Sequence, residues 1–192
     1  VSPFALKAVG AHEPAGFLVT DGRKPGSHPY HAAGLYYLQE PSAMVGGGLV
    51  AARPGELVLD LAAAPGGKAT HLAAKMQGSG LLVANDAGTG RARLLAENMT
   101  RWGAGNSLIT SAEPAQLAAQ FGPIFDRVLV DAPCSGEGMM RKHQFAGRQE
   151  PFERSEAMVL ACSQRQTAVL HAAAKLLKPG GQLVYATCTF SP

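Results

Sequence analysis

Between Glu56 and Ala186 the chain repeats one pattern: a short apolar run, a turn, then a stretch with helical spacing of its apolar residues. The apolar runs fall at 57–61, 81–86, 107–110, 124–131 and 182–186, and the helical stretches at 68–76, 90–102, 114–121 and 156–177. In the second helix Leu94, Leu95, Met99 and Trp102 are expected on one face. In the last, Val159, Leu160, Val169, Leu170, Ala173, Leu176 and Leu177 follow a near-helical period. Gly78, Gly80, Gly103 and Pro179-Gly180-Gly181 punctuate the pattern. Such alternation leaves few topologies open. It predicts an α/β fold, a parallel sheet with right-handed crossovers and helices on both faces.

A chain of 192 residues, 46% of them hydrophobic, suffices for one domain with a sizeable core and excludes a disordered chain. No apolar run reaches the ~20 residues of a membrane span, and Val1–Gly10 lacks the order of regions found in a signal peptide. Cys134, Cys162 and Cys188 form no CxxC, which argues for a reducing, cytoplasmic setting and against a metal centre. The net charge of +3 points only weakly to a polyanionic partner. Residues 1–41, rich in Gly, Pro and His, are expected to hold short strands or irregular structure, a loop-rich remnant of an amino-terminal region. His28 and His31 have no metal-like partners, and Tyr36 and Tyr37 are expected to form an aromatic plug below the sheet. Ser42 is the expected N-cap of a helix running to about residue 52. Both ends look cut, so residues 42–192 are expected to be a core incomplete at its carboxyl end.

Chemistry concentrates at three strand ends. The stretch VLVDAPCSGEG (128–138) brings Asp131 and Cys134 to the mouth of a buried strand, and LVYATCT (183–189) brings Cys188 to the next. These three are expected to converge on one substrate atom. The third strand end is the turn from Asp60 to Lys68, whose small residues let a ligand approach the backbone ahead of a helix with free N–H groups. A phosphate loop would need Gly and Ser/Thr where Ala62 and Ala69 stand, and a dinucleotide fingerprint would need more than Gly66-Gly67. An adenosyl-sulfonium cofactor needs neither. It needs a small-residue turn for its methionine part and a carboxylate at the next strand end, which Asp86 supplies. A tight structural connection would share the same glycines. Cys162, in mid-helix, is expected to be a small buried residue. Arg141, Lys142 and His143 are suited equally to RNA phosphates and to a solvated loop.

The segments HAAGLYYLQEPSAM (31–44), DLAAAPGGK (60–68), AND (84–86), DAPCSGEGMMRK (131–142) and YATCTFSP (185–192) together resemble the RNA (cytosine-5) methyltransferases of the Nol1/Nop2/Sun group. Within it they are closest to the RsmF-like branch acting on bacterial 16S ribosomal RNA. The resemblance runs from about residue 25 to the end. It implies a class I, Rossmann-like methyltransferase fold that uses S-adenosyl-L-methionine, here truncated after the fifth strand, without metal or membrane and acting as a monomer. By the same resemblance Ala62, Ala63, Ala64, Pro65, Gly66, Gly67 and Lys68 wrap the cofactor's amino-acid part, and Asp86 holds the ribose. Glu113 faces the adenine, with Ser111 as second choice, and Asp131 lies between cofactor and base. The implied substrate is small-subunit ribosomal RNA. Transfer RNA is the alternative substrate, and an inactive RNA-binding ribosome-assembly factor the alternative role.

Carbon 5 of cytosine is a poor nucleophile until a thiolate adds at carbon 6, so the attacking thiol must sit where its pKa can fall. DNA cytosine-5 methyltransferases attack with the thiol that corresponds to Cys134. The RNA family attacks with the one corresponding to Cys188 and uses Cys134 for product release, and CSGEG and TCTFSP fit the RNA pattern. Asp131 is expected to hydrogen-bond the ring N3 and amino group, with Lys68 partnering Asp131 or the base.

Overall fold

In a computed structural model, which describes residues 2–10, 13–132, 134 and 156–188, all five apolar runs pair into one parallel sheet. Ahead of it, β1 (Leu6–Ala8) and β2 (Phe17–Val19) form an antiparallel hairpin, followed by a 3-10 turn at Pro25–Ser27 and a one-turn helix α1 (Pro29–Ala32). His28 caps α1, its Nδ1 accepting from the Tyr30 amide at 3.1 Å.

The core then runs α2 (Pro41–Val50), β3 (Leu57–Asp60), α3 (Gly67–Met76), β4 (Leu81–Asn85), α4 (Thr89–Trp102), β5 (Ser107–Thr110), α5 (Pro114–Phe121), β6 (Phe125–Asp131), α6 (Glu156–Leu176) and β7 (Leu177–Ala186). The strand order is β5-β4-β3-β6-β7. The direction of winding reverses between β3 and β6, the kind of switch point at whose carboxyl side ligands bind in open α/β sheets. The central strands β3, β4 and β6 are buried on both faces, which is why their runs show no polar alternation over 57–59, 81–84 and 128–130. Val58, Leu82 and Leu129 meet Leu72, Met76, Leu95 and Met99 on one face. Leu59, Val83, Val128 and Val130 meet Leu117, Val169, Ala173 and Leu176 on the other.

Several boundaries differ from expectation. Helix α2 starts at Pro41 with Glu40 as its N-cap, not Ser42. Proline fits the first helical position because its φ is already helical and its missing N–H would have no partner there. Strand β7 begins at Leu177, so Pro179-Gly180-Gly181 lies inside it. A register shift absorbs the extra residues: Leu177 pairs with Phe125, and the next pairing is Gln182 with Arg127. Leu94 and Leu160 are solvent-exposed, and Ala92 and Asn98 take the buried positions of α4. Cys162 is half-buried, not fully enclosed. Tyr37 and Gln39 lie against Gly67, at the carboxyl end of the sheet, not below it.

At the opposite end Arg127, 9% exposed, bonds Glu56 through Nε at 2.6 Å, the Val50 carbonyl at 2.7 Å, and Gln182. It ties α2, β6 and β7 together below the site.

Candidate active site

The turn after β3 is held from three sides. The Ala63 amide donates to the Asn85 carbonyl at 2.7 Å, Asn98 of α4 donates to the Pro65 carbonyl at 2.7 Å, and Gly66 has a φ of +118° with Leu95 and Asn98 directly above it. A side chain at Gly66 would be strained at that φ and would press on Leu95. The first intrahelical bond runs from the Thr70 amide to the Gly66 carbonyl at 2.8 Å. The amides of Gly67, Lys68 and Ala69 therefore precede the helical ladder and suit an anionic group. Ala62, Ala64 and Pro65 line the same turn, half-buried or exposed.

Asp86, 1% exposed, closes the β4 end. The Gly88 amide donates to its Oδ1 at 2.9 Å, and Arg91 lies 2.9 Å from the same oxygen. Both contacts fall on Oδ1, leaving Oδ2 for a diol. Beside it Asn85 uses its whole amide. Its Nδ2 donates to the carbonyls of Leu61 at 3.1 Å and Ala112 at 3.0 Å, and its Oδ1 accepts from the Thr110 hydroxyl at 2.9 Å and the Ala112 amide at 3.1 Å. This locks the turn after β3 to the segment after β5.

Glu113 is exposed and forms a capping box with Gln116 at the start of α5, which gives its carboxylate a structural task. Ser111 is exposed two residues earlier.

The remaining candidate side chains gather near the ends of β6 and β7. Lys68 Nζ donates to Asp131 Oδ2 at 2.7 Å, and the lysine stem lies under α2, where a Cβ on Gly46 would sit 3.2 Å from Cε. A side chain at Gly46 would make the lysine stem shift by a few tenths of an ångström. The Cys134 and Cys188 sulfurs are 2.6 Å apart, both residues half-buried. Burial, the hydrogen bond and charge of Cys134, and the Asp131 carboxylate push the Cys188 thiol up to about 12. The expectation of a lowered pKa is not met in this arrangement, in which Cys188 is held as a thiol.

One group went unselected in the sequence. Asp60, at the end of β3, is fully buried, and the Ala62 amide is the backbone donor that favours its charged form. Burial raises its carboxyl to about 7 against the pull of the Lys68 ammonium, and the Asp131 and Asp86 carboxylates push the same way. The only signal available was an acidic residue ending an apolar run. Arg141, Lys142 and His143 lie outside the described residues. Among the described residues no cluster of His, Cys, Asp and Glu is suited to a metal ion, and no helix is long and apolar enough to cross a membrane.

Residues 48–192 match the family model of the 16S rRNA methyltransferase RsmB/F. The chain belongs to that family. The ribosomal RNA small subunit methyltransferase F of Shewanella baltica is 40% identical over 168 residues, 84% of this chain and 34% of the relative. The tRNA (cytosine(49)-C(5))-methyltransferase of Pyrococcus abyssi is 42% identical over 162 residues, 84% of this chain and 50% of the relative. The chain therefore spans about a third of the first relative and half of the second. A solved structure of a methyltransferase homolog protein from Pyrococcus horikoshii superposes with a TM-score of 0.83 at 33% identity, covering 99% of this chain and 58% of that one. The sheet has the order of a methyltransferase sheet, and S-adenosylmethionine is the cofactor of this family.

Proposed function

We propose that this chain is the catalytic core of an enzyme that methylates carbon 5 of a cytosine in RNA, with small-subunit ribosomal RNA as substrate and the cytoplasm as its setting. The observation that carries the reading is the meeting of Cys134 and Cys188, 2.6 Å apart, beside the Lys68–Asp131 pair. Isolated cysteines at strand ends are ordinarily small core residues; two thiols and an ion pair at adjacent strand ends are a reaction site.

S-adenosylmethionine supplies an electrophilic methyl group on a sulfonium. The turn from Ala62 to Lys68 would hold its amino-acid part, with the free amides of α3 available to its carboxylate and Asp86 to the ribose diol. These residues fit the cofactor, because they offer an anion site and a diol acceptor with no phosphate cradle.

Cys188 gives its proton up to water and adds to carbon 6 of the target base, the displaced electron pair moves into the ring where N3 takes up a proton from water, and Asp131 accepts from the amino group. Carbon 5, made enamine-like by the adduct, takes the methyl group. Cys134 then assists loss of the carbon-5 proton, and Cys188 is eliminated. A 2.6 Å gap between sulfurs admits no ring, so entry of the base separates the thiols. Separation removes the Cys134 contribution that holds the Cys188 proton. The base must leave its stack to be reached from both faces.

Transfer RNA is the second reading, favoured by the 42% identity to the archaeal transfer RNA enzyme. The test is a covalent trap on a denaturing gel, with 16S ribosomal RNA and transfer RNA transcripts, S-adenosylmethionine, and wild type, Cys134→Ser or Cys188→Ser. An adduct that accumulates in Cys134→Ser and is missing in Cys188→Ser supports the assignment. The reverse pattern exchanges the thiols. No adduct and no methyl transfer to either RNA refutes the enzyme and leaves an RNA-binding assembly factor.

A further inference from the structure

Arg91 stands at the wrong end of its helix. It lies in the first turn of α4, where unpaired amides make the helix end positive and an acidic residue is favoured, yet that turn holds no acidic residue. The N-cap is Gly88, which has no side chain to cap with. The arginine folds back across it: a Cβ on Gly88 would sit 3.1 Å from Arg91 Nε and 3.4 Å from Asp86 Oδ1. The guanidinium ends 2.9 Å from that Oδ1, and the Asp86 side chain is 1% exposed against 65% for Arg91. An ion pair with one member so open to solvent adds little stability. What the pair does is fix a carboxylate. The terminal torsion of an aspartate has broad, two-fold wells. With the Gly88 amide and Arg91 both on one oxygen, at 2.9 Å each, the plane of the group is set and the direction of the other oxygen with it.

We infer that Arg91 is a positioning residue for the ribose: by holding Asp86 Oδ1 it aims Oδ2 at the 2′ and 3′ hydroxyls of the cofactor, without touching the cofactor itself. The inference deepens the cofactor reading above and rests on it. Hydrogen bonds from a diol to a carboxylate are directional and weaken steeply when misaligned. A carboxylate free to turn has to be ordered when the ligand arrives, and that ordering is subtracted from the affinity. Arg91 and the Gly88 amide order it in advance. The effect is confined to ligands that carry the diol, because the diol is the part of the cofactor that Asp86 receives. A lysine in place of Arg91 keeps the charge that holds Oδ1, whereas an uncharged side chain of similar length does not.

Titration calorimetry with S-adenosylhomocysteine and its 2′,3′-dideoxy analogue separates the inference from the reading beneath it. Wild type should bind the diol compound about tenfold more tightly than the analogue, or better. If it binds neither, the cofactor reading fails. If it binds both alike, the ribose role of Asp86 fails. Either result removes the inference too. With wild type discriminating, the variants decide. Arg91→Met should weaken S-adenosylhomocysteine by about fivefold to tenfold, leave the analogue within about twofold, and move the thermal midpoint by no more than about 3 °C. Arg91→Lys should recover most of the lost affinity. A loss shared equally by both compounds, no loss with either, or no recovery in Arg91→Lys overturns the inference. If Arg91→Met does not fold, the pair serves the fold and not the ribose, which overturns it as well.

Discussion

Replacing Asn85 by alanine removes four hydrogen bonds from a residue that is 0% exposed. The carbonyls of Leu61 and Ala112 lose a donor, and the Thr110 hydroxyl and Ala112 amide lose an acceptor. At a net ~1 kcal/mol per hydrogen bond, with more for any group that cannot reach water, the cost is about 3–5 kcal/mol. That is a large share of the roughly 5–15 kcal/mol by which a domain is stable. With a urea slope of about 2–3 kcal/mol per molar, the unfolding midpoint falls by about 1–2 M. The damage is local as well as global, because Asn85 joins the turn after β3 to the segment after β5 and stands next to Asp86. S-adenosylhomocysteine binding, measured calorimetrically under conditions where the variant is folded, should weaken by tenfold or more, since ~1.4 kcal/mol of lost preorganisation suffices for that. A midpoint within about 0.3 M of wild type, with unchanged affinity, would show that solvent or side-chain rearrangement replaces these bonds and would refute the locking role.

Arg127→Met leaves Glu56, Gln182 and the Val50 carbonyl without their shared partner, at a cost of about 3–5 kcal/mol near neutral pH. Burial pushes the Glu56 carboxyl up, but the Arg127 and Arg53 contacts outweigh it and hold the pKa below its ordinary value of 4.5. The wild-type advantage is therefore full above pH 4.5 and lost as pH falls through the lower folded value; urea titrations that show a constant difference down to pH 3 would contradict this. Gly66→Ala, at a φ of +118° and with Leu95 Cδ1 3.3 Å from the new Cβ, should cost about 1–3 kcal/mol and weaken S-adenosylhomocysteine binding. Equal affinity by calorimetry would contradict it. Base entry removes the Cys134 contribution but leaves the burial of Cys188 and the Asp131 carboxylate, which both raise its thiol, so the rate of adduct formation in a rapid-quench trap should still be climbing with pH at pH 9. A plateau near neutrality would mean that a lowered-pKa thiolate attacks.

The strands and helices were legible because burial on both faces writes an unbroken apolar run, and helices between them write a longer period. What the pattern does not encode is how an end is finished. Glu40, not Ser42, caps α2 because Pro41 prefers the first helical position, a local competition that the serine signal conceals. The start of β7 at Leu177 depends on a bulge against Phe125 and Arg127, which no reading of 177–181 alone contains. At the site, Cys134, Cys188, Asp131 and Lys68 were legible as motif residues, and the structure brings them together. Asp60 and Asn85 were not, since an acid or amide at a strand end looks the same whether it meets water or is sealed in. Their meaning depends on neighbours distant in the chain. The raised pKa of Cys188 was invisible for the same reason: it comes from burial and from Cys134, 54 residues away.

The strand order has a consequence for how such an enzyme can change over generations. The turn after β3, Asn85 and Asp86 sit on one side of the reversal of the sheet, and Asp131, Cys134 and Cys188 on the other. Each group is carried by its own strands, so the segments after β6 and β7 can be rewritten, and with them the atom that is modified, while the other half is inherited intact. Lys68 is the exception. It begins α3 on one side and ends on Asp131, 63 residues later in the chain, on the other. A lineage that changes its target can leave the rest of the first half alone, but the residue at this seam has to answer to both.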